Sequence, residues 1–497
     1  MKQVVLLPHQ TEHVQKIQSI FDDKKERLYI DTSVMGSGKT YIALYLAQRY
    51  NLRLFIICPK GLINTWTLAS KEYGVPIECI DTFAQFRSTK CKWISQKKDT
   101  VLLSNNKSVD KIIYSHTPAF EEIVKKGLLF VIDEFHNLKN VTAQTLACSA
   151  LARYISNLSS PNETKMAFLS ATPFDKMENV VNMFRVTGVM NDIELFEPNY
   201  FGRGFEMRGL QDIIDKCRTI DSTLADKASF ACDKKTAVFA TYILYTRVFQ
   251  KRFVYAMPIP EKKASLECKN VFCNLPSIEA EEQLTLAITN LAEACKYSSK
   301  KDNGSIGVVE KTDVTALGGA LKKLEALKVT HIVKQKVKEE LERTSNGKVV
   351  VFVNFYDPAF ELIRAFQTYK PLFLNGSMTV QERANVVHLF QQPNTKHRLF
   401  IANMQVGGVG IDLDDRDGRF PRSMFILPTF HILNMHQATG RICRSSTKSD
   451  GTVKMIYTKL GELRILNALA KKTVVLNTVA QTSNKVKFPG DYDNEVE

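Results

Sequence analysis

The chain has no apolar run approaching the roughly 20 residues that a bilayer-spanning helix needs, which argues against a membrane protein. Its opening, "MKQVVLLPHQ", lacks the length and the small-residue cleavage site of a signal peptide. The expectation is an intracellular protein, cytoplasmic or nuclear, neither secreted nor membrane-bound. No C-x-x-C pair occurs among the 10 cysteines, and the two in "CKNVFC" (268–273) have no second pair to complete a zinc site. Reduced thiols are expected in place of a metal cluster. Acidic residues are in short supply: 52 Asp and Glu face 67 Lys and Arg, a net charge of +15. That excess favours polyanionic partners, but a merely soluble basic surface gives the same count, so charge alone decides nothing. Repeats and low-complexity tracts are also missing. What remains is ordinary globular composition, 44% hydrophobic and 24% charged, over 497 residues. That length is too great for one core, so two or three domains follow.

From 27 to about 185, short apolar runs alternate with helical or loop segments: "RLYIDTS" (27–33), "LRLFIICP" (52–59), "TVLLSN" (100–105), "LLFVIDE" (128–134) and "KMAFLSATP" (165–173). Such runs suit a parallel sheet covered on both faces, which predicts a doubly wound α/β lobe with its ligands at the carboxyl ends of the strands. From about 190 to 345 apolar residues recur at three- and four-residue spacing, so helices dominate, with "KRFVYAMPIP" and "SLECKNVFCNLP" as strands between them. Alternation resumes with "GKVVVFVNF" (347–355), "PLFLNGS" (371–377), "HRLFIANM" (397–404), "RSMFILPT" (422–429) and "VKMIYTKL" (453–460), a second α/β lobe. The last residues lack periodicity and are expected to fray. The expected organisation is a nucleotide-binding lobe over 1–188, a mainly helical insertion over 189–345, a second lobe over 346–475 and a flexible tail over 476–497.

In the first lobe, "TSVMGSGKT" (32–40) lies between an apolar strand and a helix-like stretch. Gly36 and Gly38 let backbone N–H groups approach phosphates, Lys39 would reach the β- and γ-phosphates, and Thr40 would hold Mg2+. Ser33 stands where the usual pattern has glycine. "LLFVIDEFHNLKN" (128–140) supplies Asp133, suited to the metal, and Glu134, suited to orienting the attacking water; alone, such a pair is commonly a solvated loop start. His136 reads as a coupling residue rather than a general base. Ser170 and Thr172 in "LSATP" could relay the same signal, a cap or turn being the plain alternative.

In the second lobe, "HQATGRICR" (436–444) places Arg441 and Arg444 three apart, on one face if helical. Two such arginines are usually a solvated surface. Phosphoryl transfer needs an arginine, however, and this lobe has no phosphate loop of its own. These arginines are therefore expected to complete the first lobe's site, ATP binding closing a cleft between the lobes. "NMQVGGVGIDLDD" (403–415) sets Gly407, Gly408 and Gly410 before Asp412, either for close approach to a ligand or for a plain tight turn.

In this order the segments resemble the superfamily 2 helicases and translocases over about residues 5–460. "LLPHQ" (6–10) is similar to the segment whose glutamine reads adenine, "SVMGSGKT" to motif I, "DEFH" to the DExH form of motif II, "SATP" to motif III, "VVVFVNF" to motif IV, "GGVGIDL" to motif V and "QATGRICR" to motif VI. The resemblance implies two RecA-like lobes of doubly wound parallel sheet, with ATP and Mg2+ as cofactors. It implies that Gln10, Gly36, Ser37, Gly38, Lys39, Thr40, Gly410 and Asp412 bind the nucleotide. Gln437, Arg441 and Arg444 would act with Lys39, Asp133 and Glu134 in hydrolysis. Nucleic-acid contacts are implied for Lys60, Gly61, Asn105, Asn354, Met404, Gln405 and Gly407. Phosphate tracking of this kind gives strong salt dependence and little sequence specificity. Basic helices over 322–338 (Lys322, Lys323, Lys328, Lys334, Lys336, Lys338) extend the track or form a solvated face.

"ICPKGLINTW" (57–66), the methionine before Gly36, "DEFHNLKN" and "LNGSMTVQER" (374–383) are similar to the Swi/Snf-type branch, which tracks duplex DNA. Gly440-Arg441, where that branch usually has Asp-Arg, and "SATP", where it has Gly-Thr-Pro, are more like the general DExH helicases. The length is similar to that of helicase-like ATPases of large DNA viruses and cytoplasmic linear plasmids. The reading is thus an ATP-dependent motor on DNA, duplex DNA being the expected track, with transcription or replication machinery as candidate partners and the oligomeric state left open, a monomer being compatible. An RNA helicase with the same engine is the first alternative. A non-hydrolysing nucleic-acid-binding scaffold is the second, disfavoured by the full set of ATPase residues.

Overall fold

The computed structural model describes residues 2–102, 108–159, 163–191, 195, 197–198, 205–231, 233–258, 264–300, 311–407, 411–444, 446–458, 462–479 and 487–496. The chain forms two compact units, Met1–Pro260 with Val474–Val486, and Glu261–Thr473 with Lys487–Glu497. Among the described residues no helix is long and apolar enough to cross a membrane.

The first unit contains β1 (Leu28–Asp31), β2 (Arg53–Ile57), β3 (Ile77–Asp81), β4 (Ile94–Leu102), β5 (Ser108–His116), β6 (Leu128–Asp133), β7 (Lys165–Leu169), β8 (Glu197–Pro198), β9 (Phe205–Glu206) and β10 (Val254–Tyr255). Six of them make one sheet in the order β10-β1-β7-β6-β2-β3, every pairing parallel. β1, β6 and β7 are buried along their whole length, as expected of apolar runs covered by helices on both faces. This order brings β1, β7 and β6 side by side. Their last residues are level, Asp31 and Asp133 each pairing with Leu169. The loops that leave these three strands therefore share one edge of the sheet.

One expected sheet strand lies elsewhere. Thr100–Leu102 belongs to β4, which pairs antiparallel with β5 in a separate two-stranded hairpin, and 103–105 fall outside the described residues. Lys97, Lys98 and Asp99 precede the apolar residues of this run, and a doubly covered parallel strand cannot bury such charges.

The second unit contains β11 (Leu266–Cys273), β12 (Lys348–Val353), β13 (Leu372–Leu374), β14 (Leu399–Asn403), β15 (Arg422–Ile426), β16 (Gly451–Thr458) and β17 (Asp493–Val496). These form one parallel sheet in the order β13-β14-β12-β15-β16-β11-β17. Two expectations change here. The stretch 189–345, read as one insertion, is divided, because β10 extends the first sheet while β11 lies inside the second. The tail, read as structureless, ends in β17, which pairs with Lys269–Phe272. Buried Phe488 and Tyr492 anchor it, and Asn270 Nδ2 donates to Tyr492 O (3.1 Å) and Asn494 Oδ1 (3.1 Å). A four-residue edge strand is too short to show a period.

Candidate functional site

In the first unit the loop after β1 is built around Asp31. Its carboxylate is fully buried, accepts from Ser33 N (2.9 Å) and meets His13 Nε2 at 3.0 Å. Burial alone would raise the carboxyl, but His13 and Lys39 outweigh it and hold Asp31 below the ordinary range. Gly36 (φ +77°) and Gly38 (φ +93°) shape the loop, and Gly38 caps the helix Lys39–Arg49. The positive φ at Gly38 disfavours other residues, and a Cβ there would lie 2.3 Å from Gln10 Nε2, which would have to shift from its place against Ser37 O. Gln10 Nε2 donates to Ser37 O (3.1 Å) and Oε1 accepts from Leu7 N (2.9 Å), which fastens the helix Pro8–Phe21 to the loop. Lys39 Nζ donates to Ser33 O (2.8 Å) and Val34 O (3.3 Å). Ser33, the departure from the usual glycine, is buried, and its Oγ accepts from Met257 N (2.8 Å) just beyond β10. Thr40 follows in the first helical turn, partly buried.

Asp31 and His13 were not singled out from the sequence, yet they join the Gln10 helix to the loop. Asp31→Asn is expected to lower stability by about 3 kcal/mol, the usual loss when one partner of a buried pair is removed. It should also raise the KM for ATP several-fold, since the Ser33 turn is held from the same carboxylate. Thermal denaturation and steady-state kinetics check both, and an unchanged midpoint would refute the assignment. Because its carboxyl is depressed, Asp31's contribution is complete above pH ~4 and fades as the pH falls through the native value.

At the end of β6, Asp133 is buried and pushed up to about 6 by burial and by Glu134, against the opposing pull of Trp66 and Lys39. Oδ2 accepts from Trp66 Nε1 (2.9 Å) and Oδ1 from Glu134 N (2.9 Å). Trp66, fully buried in the helix Ile63–Tyr73, is the tryptophan of "ICPKGLINTW"; the sequence marked it only as a branch feature. Asp133 and Thr40 are hard oxygen donors, and a buried carboxylate short of positive charge suits a divalent cation, so these residues fit Mg2+.

Glu134 has φ +54°, a backbone that costs a non-glycine residue about 1–3 kcal/mol and recurs at working sites. Its Oε2 lies 3.2 Å from His136 Nδ1, which also meets Ser170 Oγ at 3.1 Å. Ser170 N donates to Asp31 O (2.9 Å), and Ser170 Oγ accepts from Thr172 N (3.2 Å). Glu134, His136, Ser170 and the end of β1 are thus one connected set. Thr172 Oγ1 is buried with no partner among the described residues. Lys60 and Gly61 are exposed in the turn Lys60–Leu62; Asn105 lies outside the described residues.

In the second unit the helix Ile432–Thr439 carries buried Gln437 and stops at Gly440. Arg441 and Arg444 consequently lie beyond it and not on one helical face. The chain is drawn away by Leu413 N donating to Arg441 O (2.9 Å) and by Arg444 N donating to Thr447 Oγ1 (2.6 Å). Arg441 is buried, with Nη1 donating to Ile411 O (3.1 Å). Arg444 Nε lies 3.2 Å from Asp412 Oδ1, an ion pair without hydrogen-bond alignment. Asp412 Oδ2 also accepts from Arg416 Nη2 (2.9 Å). The residue expected to meet the nucleotide is therefore paired with an arginine expected to do so. Gly408 and Gly410 lie outside the described residues. In the short helix Met404–Gly407, Met404 is buried and Gln405 exposed. Asn354 directs both amide donors inward, to Glu325 Oε2 (2.6 Å) and Leu427 O (2.9 Å).

The basic helices are largely neutralised. Lys328 is buried, donating to Glu462 Oε1 (2.7 Å) and Ile456 O (3.1 Å). Lys322 pairs with Asp357 (2.6 Å), Lys334 with Glu361 (2.7 Å), Lys336 with Glu339 (3.5 Å) and Lys338 with Glu342 (4.0 Å). Exposed Lys323 belongs to the same row. This is a solvated face plus one core lysine rather than a bare cationic track.

Residues 3–175 match the family described as type III restriction enzyme, res subunit, and residues 332–446 match the helicase conserved C-terminal domain. A "Putative ATP-dependent RNA helicase" of Acanthamoeba polyphaga mimivirus is 24% identical over 479 residues, spanning 95% of this chain and 83% of that protein. The "DNA repair and recombination protein RAD54-like" of Danio rerio is 23% identical over 532 residues, spanning 97% of this chain and 68% of its own length. Among solved structures, a Sulfolobus solfataricus SWI2/SNF2 ATPase core in complex with dsDNA aligns over 97% of this chain and 98% of its own, with 16% identity and a TM-score of 0.31.

Proposed function

We propose that this chain, which belongs to the superfamily 2 helicases and translocases, hydrolyses ATP to ADP and phosphate and uses the cycle to move along duplex DNA. The observation that carries the reading is the sheet order of the first unit. It sets the phosphate loop, the Asp133–Glu134 pair and the Ser170 turn at three adjacent strand ends and links them by hydrogen bonds.

In the proposed reaction, Gly36, Ser37 and Gly38 present backbone N–H groups to the phosphates, and Lys39 neutralises them. Thr40 and Asp133 would hold Mg2+, which when bound supplies further neutralisation of the phosphate charge. Glu134 orients and polarises the attacking water. His136, touching both Glu134 and Ser170, is placed to pass the state of that carboxylate to the third loop. Arg441 and Arg444 are the candidates for stabilising charge on the transferring phosphoryl group. Nucleic acid is gripped by its backbone, which predicts steep salt dependence.

Duplex DNA is favoured over RNA because the Danio rerio relative is named for DNA repair and because the "ICPKGLINTW" segment resembles the duplex-tracking branch. The mimivirus relative's name favours RNA and defines the competing outcome. ATPase assays with duplex DNA, single-stranded DNA and RNA, each over a salt series, decide between them. The strongest stimulation is expected from duplex DNA and should fall as salt rises; stimulation by RNA alone would overturn the choice of track.

A further inference from the structure

We propose that Glu325 is a positioning residue for the nucleic-acid-facing turn of the second unit; this rests on the motor reading above. Glu325 lies on the helix Lys311–Lys328 and is only 4% exposed. Among the described residues, its three hydrogen bonds all come from the turn that leaves β12. Oε1 accepts from Asn354 N (2.8 Å) and Phe355 N (3.0 Å), and Oε2 accepts from Asn354 Nδ2 (2.6 Å). From there the path crosses to the neighbouring strand β14: Asn403 Nδ2 donates to Asn354 O (2.9 Å), and Asn403 Oδ1 accepts from Gln405 N (3.1 Å). Gln405 is exposed and lies in Met404–Gly407, the segment read as a nucleic-acid contact. A chain of hydrogen bonds thus runs from a helix outside the lobe motifs to the backbone of that segment.

A carboxylate is an expensive way to fill buried space, since an ionised group loses hydration that only good partners restore. Burial pushes the Glu325 carboxyl up, and its hydrogen bonds from Asn354 and Phe355 oppose that. What a carboxylate supplies here is three acceptor directions with no donor of its own. Because both donors of the Asn354 amide face acceptors, Glu325 and Leu427 O, the amide is held in one orientation and the turn in one register. The helix itself is fixed separately, by Lys328 bonded to Glu462 one turn on, so anchoring the helix does not account for Glu325.

The test uses the full chain with Glu325→Gln, Glu325→Ala and Asn403→Ala. Glutamine keeps one oxygen for the two backbone N–H groups but turns an NH2 toward the Asn354 amide. For Glu325→Gln, the duplex DNA concentration giving half-maximal ATPase stimulation should rise about tenfold, the loss expected for one charged hydrogen bond. The KM for ATP without nucleic acid should stay near wild type, while the thermal midpoint falls by about a few degrees, as expected when one buried charged hydrogen bond is lost. Asn403→Ala, which interrupts the path further along, should show the same split, and Glu325→Ala a larger one. If the wild type is stimulated and folded Glu325→Gln has an unchanged half-maximal concentration, the inference fails alone. A rise in basal KM in step with the activation constant would also overturn it, leaving a general structural role. If the wild type is stimulated by no nucleic acid, the motor reading fails and takes the inference with it.

Discussion

Glu134→Gln lowers nucleic-acid-stimulated ATP turnover by about a hundredfold to ten-thousandfold, the range for losing a positioned acid–base group, while ATP binding stays close to wild type. The substitution is nearly isosteric, and the strained backbone at this position (φ +54°) is as accessible to Gln as to Glu. What changes is charge: a neutral amide can neither polarise water nor hold His136 as the carboxylate does at 3.2 Å. The phosphate loop is untouched, because Asp31, Gln10 and Lys39 hold it from other directions. The thermal midpoint should therefore move little, and steady-state kinetics with a fluorescent nucleotide titration separates the two effects. A variant that keeps more than a tenth of wild-type turnover would show that Glu134 does not act on the water.

Arg444→Ala should lower stimulated turnover by about a thousandfold or more, the usual contribution of an arginine to phosphoryl transfer. The cost in stability should be small, because Asp412, left behind, is 47% exposed and keeps Arg416 as a partner. Arg441→Ala should reduce turnover too, but also the thermal midpoint, since that side chain is buried and bonded to Ile411 O. The contrast between the two is the informative part. Turnover, KM for ATP and midpoint measured on both variants check it, and wild-type turnover in Arg444→Ala would remove that residue from the chemistry.

The parts legible in the sequence are those that local chemistry dictates. β1, β6 and β7 announce themselves as short apolar runs because both their faces are buried, and the segments proposed to act on ATP follow directly from their ends. The glycines at 36 and 38 stand where the backbone has positive φ, conformations that exclude most other residues. Interactions that depend on distant partners left no such mark. His13 and Asp31 are 18 residues apart, Glu325 and Asn354 are 29, and Trp66 and Asp133 are 67. Glu325 and Lys328 had one usable signal, charged residues at apolar-face positions of a helix, where burial demands a partner. The hairpin β4–β5 was misread because three apolar residues resemble a core strand until the charges beside them are weighed. Edge strand β17 is defined by what β11 offers it, and its own four residues carry no period.

The most direct test of the account is steady-state ATP hydrolysis by the purified full chain, with and without saturating duplex DNA at low salt, with Glu134→Gln as the control. The account predicts hydrolysis that rises at least about tenfold with DNA, falls steeply as salt screens the phosphate contacts, and is lost in the variant. Hydrolysis indifferent to duplex DNA, single-stranded DNA and RNA, or equal in wild type and variant, would contradict it.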